Sequence, residues 1–123
     1  MELVTIAQGE IELHDKFIIV RFSEGANILL KDAVEIKSIL QTRYSQNFAW
    51  IADKVNSYST DPTLVKDLIE DLPLAACAQV TYGNERKAQK QLTQIFLPEY
   101  LQIQSFLNLE EAKEWAQSTI QSL

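Results

Sequence analysis

Short apolar runs bounded by turn residues alternate along this chain with stretches whose apolar residues recur every three or four positions. That alternation is the feature that most limits the fold, because the first pattern fits a strand and the second fits one face of a helix. Strands joined through helices need crossover connections, which predicts a largely parallel sheet with helices packed on it. The exception is the beginning of the chain. Gly9-Glu-Ile-Glu-Leu-His14 alternates polar with apolar residues, Asp15-Lys16 interrupts, and Phe17-Ile-Ile-Val-Arg-Phe22 follows. This spacing predicts an antiparallel β-hairpin, with residues 2–7 as an earlier stretch of its first strand. Ser23 to Asn27 supplies the next turn, where Gly25 is free to take a positive φ.

Beyond the hairpin the helical period takes over. Leu29, Ala33, Ile36, Leu40 and Tyr44 mark one helix face, and Phe48 to Ala52 is a continuous apolar run, the pattern of a strand covered on both sides, ending at Asp53. A polar loop, 54–60, leads to Asp61-Pro62, a favourable helix start because an Asp side chain accepts from free amides and Pro at the first position loses no hydrogen bond. Leu64, Val65, Leu68, Ile69 and Leu72 form the stripe of that helix, 61–72, which Pro73 closes. Ala75 to Tyr82 reads as another buried strand, and Gly83-Asn84 turns into a third helix with Ala88, Leu92, Ile95 and Phe96 facing inward, stopped by Pro98. Leu101 to Phe106 alternates as a last strand. Asn108, with Glu111 at capping-box spacing, opens a final helix whose inner face is Leu109, Ala112, Trp115, Ala116 and Ile120. The expected architecture is one α/β domain over residues 1–123: a mixed sheet of about five strands, mainly parallel with an N-terminal antiparallel hairpin, and four helices.

The element order, together with Phe106-Leu-Asn-Leu-Glu-Glu-Ala-Lys-Glu-Trp115, resembles the SpoIIAA-like (STAS-like) domains of bacterial anti-sigma-factor antagonists and their uncharacterised relatives. In that group the last strand ends in Phe, a polar cap follows, and Glu-Glu-Ala with a Trp three residues later opens the closing helix. Ile28-Leu-Leu-Lys-Asp-Ala33 resembles the segment that opens the group's first helix, and Ala75 to Tyr82 its fourth strand. The resemblance implies the STAS-like fold over nearly the whole chain. In signalling members a Ser or Thr in an Asp-Ser-Ser-Gly-like turn before the second helix is phosphorylated by a partner kinase. The equivalent loop here, Asn56-Ser57-Tyr58-Ser59-Thr60-Asp61-Pro62, offers Ser59 and Thr60 as phosphoacceptor positions but lacks that order and contains no Gly. The chain is accordingly more similar to the branch without assigned switch chemistry, some of whose members are related to lipid-binding folds.

Composition narrows the function further. With 17 acidic against 11 basic residues the net charge is -6, which disfavours nucleic acid and anionic membrane surfaces as partners. No apolar run approaches the roughly 18 residues of a membrane span, and Met-Glu-Leu-Val-Thr-Ile has no basic region before an apolar stretch. A cytoplasmic location is therefore expected. A single Cys, Cys77, excludes an internal disulfide, and in an Ala-rich strand it reads as a small core residue. One His, one Cys and three Gly leave most catalytic templates without parts, so no enzyme and no cofactor are expected.

Parallel strands place ligand sites beyond their carboxyl ends. The candidates there are Asp53, Asn56, Ser57, Tyr58, Ser59, Thr60, Asp61, Tyr82 and Asn84, set against the ordinary use of such residues in turns and caps. Glu10, Glu12 and His14 share a strand face by the period of two. A divalent metal there is weighed against a plain exposed polar face, and the polar face is preferred. Asp61, Asp67, Glu70 and Asp71 make helix 61–72 acidic, whereas Arg86, Lys87 and Lys90 make the next one basic. The first expectation is thus a non-enzymatic regulatory or protein-interaction module that docks another protein through helix 61–72 and the loop before it. The alternative is a domain binding a small apolar ligand or lipid between helices and sheet. The unpaired edge of the hairpin also offers a route to a homodimer.

Overall fold

A computed structural model describes residues 1–60, 63–82 and 101–123. The strands are β1 (Glu2–Ile6), β2 (Gly9–Leu13), β3 (Phe17–Phe22), β4 (Asn27–Ile28), β5 (Phe48–Asp53), β6 (Ser59–Thr60), β7 (Leu74–Val80) and β8 (Gln102–Phe106). The helices are α1 (Leu30–Arg43), α2 (Thr63–Ile69) and α3 (Leu109–Gln121). Six strands form the main sheet in the order β1-β2-β3-β5-β7-β8, antiparallel through β3 and parallel from β3 to β8. The α/β class, the antiparallel start and the parallel remainder agree with the sequence pattern.

The sheet differs from expectation at its edge. Residues 2–6 are a separate strand, not an extension of β2: Ala7-Gln8 turns the chain and β1 pairs antiparallel with β2, Val4 opposite Ile11. The main sheet therefore has six strands, and β1 covers the hairpin edge that was expected to be open. Gly9 sits where β2 begins beside the end of β3. A Cβ there would lie 2.1 Å from the Arg21 carbonyl oxygen, so a side chain would force the two strands apart. Gly25 takes φ +74 in its turn, as its lack of a Cβ allows.

Alternation within each strand sends side chains to two cores. Ile18 and Val20 of β3 join Ile11, Leu13, Phe48 and Leu74 in a core with Ile36 and Leu40 of α1 and Ile69 and Leu72 of the α2 segment. Phe17 and Ile19 point the other way, into a core with Ile51, Val80 and Ala112, Ala116 and Ile120 of α3. Full burial of each such Ile or Phe side chain contributes roughly 1.5–3 kcal/mol. α1 starts with the Asp32 carboxylate accepting from the Leu29 amide at 2.9 Å. It ends at Tyr44, whose hydroxyl donates to the His14 carbonyl and so ties the helix to the β2–β3 turn. α3 is capped as expected, Glu111 N–H donating to Asn108 Oδ1 at 2.9 Å.

α2 is shorter than the expected 61–72. It ends at Ile69, and Asp71 adopts φ 66, reversing the chain before Pro73. Within the polar loop, β6 pairs in parallel with β4 as a two-stranded ribbon, a feature too short to leave any periodicity in sequence. The expected Asp61-Pro62 cap, the side chain of Val65, the Gly83-Asn84 turn, the third helix with its basic residues and the Pro98 stop lie outside the described residues. Among the described residues no helix is long and apolar enough to cross a membrane.

Candidate functional site

Two features stand out, one on each side of the sheet. The first is a chain of polar side chains across four strands. Arg21 shares the parity of Phe17 and Ile19, so it projects to the α3 side of the sheet beyond the apolar core. The antiparallel register puts Glu12 diagonally across from it, and the parallel register of β3 and β5 brings Asp53 alongside. Its guanidinium donates to a Glu12 carboxylate oxygen and, through Nε, to Asp53 Oδ2 at 2.7 Å. His14 Nε2 lies 3.1 Å from the other Glu12 oxygen, and the Tyr82 hydroxyl donates to Asp53 Oδ1 at 2.7 Å.

Asp53 is buried and Arg21, Glu12 and His14 are half-buried, which sets the electrostatics. Burial pushes the Glu12 carboxyl up, but hydrogen bonds and charge from Arg21 and His14 outweigh it and leave the group below its usual range. Burial works against the Arg21 charge too, and its two carboxylate partners more than restore it. The Tyr82 hydroxyl is pushed up to about 12 by burial and by its bond to Asp53. The Arg21 guanidinium thus lies between the Glu12 and Asp53 carboxylates. No group of three or more metal-capable side chains converges among the described residues.

The second feature is an apolar cavity of about 130 Å³ between the sheet and the helices α1 and α2. Trp50 and Cys77 form part of its floor, Ile36, Leu64 and Leu68 come from the helices, and Tyr58 and Thr60 stand beside the β4–β6 ribbon. Phe22 packs edge-on against Tyr58 with ring centroids 4.9 Å apart, and the Lys54 ammonium lies 6.0 Å from the Tyr58 ring. Cys77 is half-buried, its open side being the cavity. Burial pushes its thiol up to about 12, which disfavours the thiolate at neutral pH.

Family models, curated proteins and solved structures give no match to this chain.

The sheet divides the residues expected to gather at the strand ends. Asp53 and Tyr82 meet on the α3 side, whereas Tyr58 and Thr60 line the cavity on the other. Asn56 and Ser57 hold the loop in place: Asn56 Nδ2 donates to the Phe22 carbonyl at 3.0 Å and the Ser57 amide to Glu24 at 2.8 Å. Ser59 is exposed, its amide bonded to the Ala26 carbonyl and its hydroxyl 3.2 Å from Asn27 Oδ1. Asp61 and Asn84 lie outside the described residues. Sequence reasoning passed over Arg21 and Gln79. The signal for Arg21 was a charge inside an otherwise apolar strand, which needs a buried partner. Gln79, a carboxamide in an Ala-rich strand, gave a similar one.

Proposed function

We propose that the protein is a non-enzymatic binding module that takes a small apolar ligand between α1, α2 and the sheet. The observation that carries this reading is the 130 Å³ cavity, lined mainly by apolar side chains. An apolar space of comparable size accepts a benzene-sized molecule. A protonated Cys77 and a His14 engaged by Glu12 support a binding role over nucleophilic catalysis. The STAS-like resemblance of the sequence agrees with a binding module of this kind.

The exposed charges of α2 support a second reading, in which this helix docks a partner protein. Leu64 and Leu68 of α2 form cavity wall, whereas Lys66 and Asp67 of the same helix are exposed, as are Glu70 and Asp71 just after it. A ligand that shifts α2 alters the charged surface a partner protein would meet, so occupancy and docking are coupled through one short helix. The test is to add toluene to the purified protein and follow the backbone amide signals of Cys77, Leu68 and Ile103 by two-dimensional NMR. Saturable shifts confined to the cavity wall are expected; signals that stay fixed up to the solubility limit of toluene would rule the reading out.

A further inference from the structure

One polar side chain in the cavity wall has no counterpart among the described residues. Gln79 lies on β7 between Ala52 of β5 and Ser105 of β8 in the sheet register and is 9% exposed. Its carboxamide has no hydrogen-bond partner among the described residues. Neither its oxygen nor its nitrogen is sealed off within the protein, and the residue lines the cavity. The amide is thus accessible at the cavity wall. Buried carboxamides are ordinarily hydrogen-bonded, and one left without a partner in an apolar cavity is a standing demand for a polar group from outside.

We propose that Gln79 selects the ligand: the cavity takes a neutral molecule of about one aromatic ring that carries a single hydroxyl. Size limits the apolar part, since the volume matches one ring. Chemistry sets the polar part. A carboxamide donates through nitrogen and accepts through oxygen, and a hydroxyl is the smallest group that can answer either. The inference rests on the ligand-binding reading above and adds its specificity.

Phenol and toluene, which differ by a hydroxyl against a methyl, are the probes, titrated into the full chain and followed by NMR. In the natural sequence the side-chain amide protons of Gln79 shift with phenol and stay in place with toluene. The variant Gln79→Leu lowers the ratio of phenol to toluene affinity about tenfold, the worth of one hydrogen bond, while toluene binds as well or better. Gln79→Met, unbranched and of similar length, gives the same change if the leucine variant does not fold. A ratio unchanged in a folded variant, or Gln79 amide protons indifferent to phenol, overturns the selecting role while toluene binding leaves the cavity reading intact. Wall signals that respond to neither probe overturn both.

Discussion

On the α3 side of the sheet alanines from both partners take part in the contact beside the larger core residues: Ala49, Ala76 and Ala78 from the strands and Ala112 and Ala116 from the helix, all essentially inaccessible to solvent. On the α1 and α2 side the sheet presents Trp50, Cys77 and Gln79, the helices present Leu64 and Leu68, and a 130 Å³ space remains between them. The contrast shows what residue size does in a layered fold. Methyl groups on both partners let a helix settle closely against the sheet, whereas a mixture of small side chains (Ala33, Ala52, Cys77) and large ones (Trp50, Leu64, Leu68) leaves a gap that the large ones do not fill. The polar chain of Glu12, Arg21 and Asp53 lies at the margin of the tight side and closes it with charge where α3 no longer covers the strands.

That contrast can be broken by substitution, starting with the charged margin. Arg21→Met leaves Asp53 buried with Tyr82 as its remaining partner, and is expected to cost about 3 kcal/mol of unfolding free energy by urea titration. A loss under about 1 kcal/mol would show that Asp53 relaxes to solvent at little cost. Ala76→Leu on the tight side is expected to cost about 2 kcal/mol through overpacking, read as a lower Tm. Removing the α3 cap with Asn108→Ala costs about 1 kcal/mol, since Glu111 N–H loses its acceptor.

The same kind of enlargement on the other side behaves differently. Ala52, half-buried at the cavity wall, tolerates Ala52→Leu with a change below about 1 kcal/mol, and toluene binding disappears as the space fills. Equal losses for Ala52→Leu and Ala76→Leu would erase the distinction between the two sides. The smallest effect concerns pH. The Glu12 pKa is depressed from its usual 4.5, so its contribution is complete above that pH and is lost as pH falls through the lower folded value. Glu12→Gln should flatten the loss of stability below pH 4.5, and an unaltered acid limb of the urea midpoint against pH would count against it.

Much of the fold was legible because hydrophobic period is local. The β2–β3 hairpin, α1, β5, β7, β8 and the Asn108 cap all follow from residues within a few positions of one another. The β4–β6 ribbon was not legible: two residues per strand carry no period, and their pairing joins positions 32 apart. Ala7-Gln8 is not a strong turn signal, so in sequence β1 reads as one stretch with β2. At the candidate site, the period of two puts Glu12 and His14 on one face, as observed, yet Arg21, the partner of Glu12, comes from the next strand and leaves no signal within β2.

By itself, then, the sequence determined that this chain is an α/β layer structure with an antiparallel start, because alternation and helical period are properties of neighbouring residues. Tertiary structure alone decided that Arg21 lies between Glu12 and Asp53, that Asp53 and Thr60 end on opposite sides of one sheet, and that Gln79 lines a cavity without a hydrogen-bond partner among the described residues. Those facts depend on strand register and on how closely each helix approaches the sheet. Both are set by side-chain volumes summed over residues far apart in the chain.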